Sequence, residues 1–121
     1  MRKFIVFALL VALLLSACSS TQWPMSERHK KYGLQALEIA DAYLDFDITA
    51  EEAEKRLRAL EKGAKSLPDP ANKDEEFGDE SVIRKVGILE GAAALIVMGG
   101  SSTSFTDARN SLAELLGEKT R

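Results

Sequence analysis

The sequence predicts an all-α fold: a small antiparallel bundle of about four helices, arranged as two helical hairpins behind an N-terminal leader. Three observations carry that expectation. Apolar residues recur at three- and four-residue steps through four separate segments, which is the helical period. No stretch alternates apolar and polar residues convincingly enough to read as a strand. The segments are also separated by turn and cap signals rather than by long linkers.

The first segment spans about 26–46. Tyr32, Ala36, Ile39, Ala40 and Tyr43 fall on one stripe, which Leu37 and Leu44 broaden. The second has the cleanest period, with Ala53, Leu57, Leu60, Ala64 and Leu67 on one face. Thr49 with Glu52 three positions on forms a capping box at its start. Its other face holds Glu51, Glu54, Lys55, Arg58, Glu61, Lys62 and Lys65, a solvated surface with i,i+4 pairs. Few residues separate the first two segments, which implies a hairpin. Pro68 and Pro70 stop the second. Residues 73–80 are acidic and read as a mobile connector. The third segment runs over about 80–98 and ends at Gly99-Gly100. Ser104 with Asp107 suggests a second capping box before the fourth, where Phe105, Ala108, Leu112, Leu115 and Leu116 share a face. The expected core centres on Leu57, Leu60, Val86, Leu89, Ala93, Ile96, Leu112 and Leu115. The helical domain is placed at 26–117, with 118–121 as a fraying tail.

The third segment departs from a generic amphipathic helix. From Val86 to Met98 its only charge is Glu90, and apolar residues occur all round, the pattern of a central bundle helix. Gly87 and Gly91 lie four apart, and each costs a helix ~1 kcal/mol relative to Ala. Close approach of another helix would offset that cost. The expected setting is a crossing within the bundle, with a homodimer contact through this segment as the second reading. Glu90 either lies on an exposed strip or is buried. If buried, it needs a cation or donor from another segment, or a proton.

The leader begins with Arg2 and Lys3, followed over 4–15 by twelve residues without a polar side chain and then by Ser16 and Ala17. That is the build of a secretory signal, and the run is too short for a spanning helix, which needs ~20 apolar residues. Leu15-Ser16-Ala17-Cys18 resembles the lipobox of bacterial lipoproteins. The resemblance implies a signal peptide over 1–17, removed after a diacylglyceryl group is attached to the Cys18 sulfur. It also implies further fatty acylation (palmitate and similar chains) in many diderm bacteria. Two or more chains hold a protein stably on a membrane. Ser19, in place of Asp, then favours the outer membrane, periplasmic side, in a diderm source. Residues 18–25 become the lipidated Cys and a short tether reaching at most ~24 Å. Trp23 fits the membrane interface.

Composition bounds the function. The chain has 19 acidic and 16 basic side chains, a net charge of −3, and the balance falls to −5 without Arg2 and Lys3. That argues against a nucleic-acid face. One Cys excludes an internal disulfide. Catalytic candidates are few. His29, the one His, stands beside Lys30 and Lys31 and reads as a solvated helix residue. The serines 101, 102 and 104 lack a base, and no His or Cys cluster suits zinc. Asp45, Asp47 and Thr49 begin like a calcium loop, but Ala50 and Arg56 stand where Gly and a bidentate Glu are required. Asp41 and Asp45 form an i,i+4 carboxylate pair on an outer face, without an aromatic sugar platform. No catalytic residue, metal ligand or cofactor is assigned. The expectation is a non-catalytic envelope lipoprotein: a helical interaction or scaffold module, contacting an envelope protein and held near the membrane through Cys18. The alternative is a small-ligand-binding protein or enzyme with a pocket near Glu90.

Overall fold

The computed structural model describes residues 24–66 and 72–121. The leader, Cys18, Trp23 and the Pro68–Pro70 stop lie outside the described residues. Four helices make up the fold: α1 (Glu27–Leu44), α2 (Ala50–Lys65), α3 (Glu76–Val97) and α4 (Thr103–Leu116), with a short 3-10 turn over Lys73–Glu75. No strand occurs among the described residues. α1 and α3 touch each other and both of the remaining helices, whereas α2 and α4 lie on opposite sides without contact between their described residues.

Local chemistry sets each boundary. The Ser26 hydroxyl accepts from the His29 N–H and opens α1. Thr49 opens α2 by accepting from the Glu52 N–H at 3.2 Å. The expected capping box is half made, because the Glu52 carboxylate accepts from Arg56 instead. α3 starts earlier than its periodicity suggested. Residues 73–80 are helical: the Asn72 side chain caps the 3-10 turn, and Asp74, Glu75, Glu76 and Asp79 lie at helix starts. Acidic residues are favourable there, since they face the positive end of the helix dipole. α4 also begins early. Ser102 is its N-cap residue, Thr103 is the first helical residue, and the Ser104–Asp107 box is not used.

The core is built from all four helices. Phe105, Leu57, Leu89, Leu112, Leu116, Val82 and Val86 are its largest fully buried side chains. Tyr43 meets Phe105 edge-on, with ring centroids 5.1 Å apart. Of the expected core, Leu57, Val86, Leu89, Ala93, Leu112 and Leu115 are buried, while Leu60 and Ile96 are only partly so.

The glycine expectation needs correction. A Cβ on Gly91 would meet nothing within 4 Å, and one on Gly87 would be in ordinary contact with the Glu61 carboxyl at 3.5 Å. Neither marks a tight crossing within the fold. The close approaches are elsewhere. A Cβ on Gly33 would come within 2.9 Å of Leu116 and 3.3 Å of Val82, so α1 meets α3 and α4 there. A Cβ on Gly78 would collide with the Pro24 carbonyl oxygen.

Candidate functional site

Two polar assemblies stand out, and the first fixes the chain where it enters the domain. The Pro24 carbonyl sits over Gly78, and the Ser26 N–H donates to Asp79 Oδ1 at 2.7 Å. His29 Nδ1 lies 2.8 Å from the Ser26 hydroxyl and 3.2 Å from Asp79 Oδ2. His29 and Asp79 are 4% and 3% exposed, so the expectation of a solvated His29 is wrong. The physical reason is that His29 extends the buried α1 stripe of Tyr32, Gly33, Ala36, Leu37 and Ala40 by one turn. A serine, a histidine and an aspartate are therefore close together, but they do not form a nucleophilic relay. Both oxygens address the same ring nitrogen, whereas a relay needs the nucleophile and the orienting carboxylate on opposite nitrogens. The arrangement holds the entering chain onto α3.

The second assembly joins α1, α4 and the tail. Asp41 accepts from Arg109 Nε at 2.9 Å and Nη2 at 3.1 Å, a bidentate pair with Arg109 itself only 6% exposed. Arg121 donates to Asp41 at 3.2 Å and to Asp45 at 2.6 Å. Arg109 also donates to the Lys119 carbonyl at 2.6 Å, and the Asn110 side chain bonds both the N–H and the carbonyl of Arg121. The hydrogen bond from Arg121 holds the Asp45 carboxyl below the usual carboxylate range. Residues 118–121 are thus tied down rather than frayed. Asp41 and Asp45 share one helix face, as their spacing implied, but both are engaged by arginine and neither is poised for acid–base work.

This assembly floors an open groove of about 550 Å³ whose walls include Leu34, Leu37, Glu38, Asp47, Glu118 and Lys119. At its edge, Phe46 stands 94% exposed with φ +64°, in the left-handed region. The backbone there is a Schellman ending: Phe46 N–H bonds the Tyr43 carbonyl, and Asp47 N–H bonds the Ala42 carbonyl. Glycine usually fills that position. Phe46 is a functional candidate that helical periodicity does not single out; its signal in the sequence is an aromatic between two aspartates where a helix stop normally places glycine.

Glu90 lies between the two states left open for it. Its side chain is 19% exposed and 3.7 Å from Arg58 Nε on α2. Burial, a hydrogen bond with Glu54, and the charges of Glu61 and Glu54 push its carboxyl above the usual range, with Arg58 pulling the other way. A second groove of about 360 Å³, between α1 and α2, is lined by Arg28, Lys31, Tyr32, Gln35, Leu60 and Gly63. Neither groove is lined by Glu90. Among the described residues no group of three His, Cys, Asp or Glu side chains is placed to hold a metal ion, and no helix is long and apolar enough to cross a membrane.

No family model, curated protein or solved structure matches the chain.

Proposed function

We propose that the protein is a non-catalytic envelope lipoprotein whose helical domain engages another protein through the Phe46 edge and the acidic α1–α4 groove. The observation that carries this reading is Phe46 itself. A bulky aromatic in the left-handed region costs roughly 1–2 kcal/mol, and with its ring in solvent the fold recovers almost none of that through packing. Strained, exposed residues of this kind concentrate where a protein does its work, and aromatic anchors dominate the energetics of protein interfaces. Glu38, Asp47 and Glu118, which line the groove, suit a partner segment with basic and apolar side chains.

Anchoring rests on the lipobox resemblance, and the entry latch bears on the length of the tether. The chain is gripped from Pro24 onward, so a lipid on Cys18 would leave five residues, ~17 Å at full extension, between bilayer and domain. Such a domain works within a narrow shell above the membrane.

Two experiments test the reading. In the full chain, Cys18→Ala should abolish fatty-acid labelling and leave an uncleaved precursor. A mature, unlipidated protein would contradict the anchor. A photo-crosslinking side chain at position 46, used in native membranes, should give one discrete protein adduct. Absence of any adduct there, with the same probe at position 38 also silent, would refute the interface.

A further inference from the structure

The face of α3 opposite the core is apolar and uncovered over its C-terminal half. Ile88 is 56% exposed, Leu95 53% and Met98 82%. These three lie with Arg84 and Gly91 at steps of 4, 3, 4 and 3 residues, a seam that stays on one side of a helix for two full heptads. Gly91 stands at its midpoint, with open space where a side chain would be. The ~1 kcal/mol that a mid-helix glycine costs is thus offset by nothing inside the domain.

We infer that this seam binds a second copy of the same chain, antiparallel, with the two-fold axis at Gly91. The positions are self-complementary about that residue. Arg84 and Met98 lie seven residues to either side, and Ile88 and Leu95 lie three and four away. Antiparallel pairing interleaves Ile88 with the second copy's Leu95 and lets the backbones approach at the glycines. A two-fold contact of this kind buries the same patch on both copies.

Charge selects the direction and the occupant. Arg84 is exposed and makes no ion pair among the described residues. The last turn of α3 carries no basic residue. Antiparallel pairing brings each Arg84 to the negative end of the other α3 dipole, whereas parallel pairing would set the two arginines against each other. The one acidic residue between Val86 and Met98 is Glu90, and it faces Arg58 on α2, away from the seam. A membrane is the poorer occupant. Interfacial helices flank their apolar face with several Lys and Arg, while α3 opens with Glu76, Asp79 and Glu80, and its Lys85 donates to Ser111. The inference stands whether or not Cys18 carries lipid.

The test uses two differently tagged full-length chains in native membranes, one with Ile88→Cys and the other with Leu95→Cys. Mild oxidation should join the two tags in one disulfide-linked dimer. Gly91→Cys alone should link to itself, while Lys55→Cys, on the exposed face of α2, should not exceed the wild-type background set by Cys18. Gly91→Leu added to the Ile88→Cys and Leu95→Cys chains should abolish the dimer band while the helical spectrum is kept and the isolated domain melts no lower than before. Efficient Ile88-to-Ile88 linkage without Ile88-to-Leu95 linkage would mean parallel pairing and overturn the register. A monomer whose photo-probe at position 95 labels lipid would overturn the second copy in favour of the bilayer.

Discussion

Phe46 occupies a backbone position that two other helix ends in this chain give to glycine, Gly99 at φ +95° and Gly117 at φ +76°. Replacing it with glycine removes the Cβ penalty and almost no buried surface, so Phe46→Gly should stabilise the domain by about 1 kcal/mol. Thermal denaturation checks the sign. Glu90 offers a second test at this scale. Its folded-state carboxyl titrates above the unfolded range, so the folded state binds that proton more tightly. The penalty is absent below the unfolded pKa and develops as pH rises through the folded one. Glu90→Gln should therefore raise the melting temperature at pH 7 and lose that advantage toward pH 4. An advantage independent of pH would mean that charge is not its cause.

At the scale of elements, the two glycines that matter for packing are Gly33 and Gly78. Gly78→Ala would force its Cβ against the Pro24 carbonyl, which is backbone and cannot swing aside. We expect it to detach the entering chain from α3, exposing Ser26 and His29 to proteolysis and hydrogen exchange, and to lower stability. Gly91→Ala goes the other way in the isolated, undimerised domain: with open space around it there, helix propensity alone should contribute about 1 kcal/mol. Paired melts of the two variants test the assignment. If Gly91→Ala proves the more destabilising, the crossing lies where the spacing alone suggested.

The elements also show what was legible in the sequence. The four helices, the Thr49 cap and the Gly99-Gly100 stop are local signals, and each is read within a few residues of where it acts. The start of α3 was not legible, because an acidic run looks solvated until Gly78 and Asp79 are seen against Pro24 and Ser26, more than 50 positions away in sequence. His29 was hidden for the same reason. Asp41 and Asp45 were visible as a pair, but their arginines come from positions 68 to 80 residues distant. The spacing of Gly87 and Gly91 places them on one face and does not reveal what stands opposite.

Across the described residues, the fold ties down both the entering chain and the tail: the entering chain is latched to α3, and the tail is clamped to α1 and α4. On the functional reading, this gives a domain with a fixed point of attachment and a fixed recognition edge. The measurement that tests this most directly is photo-crosslinking from position 38, in the groove, compared between the otherwise native chain and the same chain with Phe46→Gly, in native membranes. Position 38 keeps the probe clear of the residue being tested. If Phe46 is the anchor, the adduct is lost in Phe46→Gly although the domain is at least as stable as before. An undiminished adduct would show that Phe46 anchors nothing, and would contradict the proposal that this edge is where the protein meets its partner.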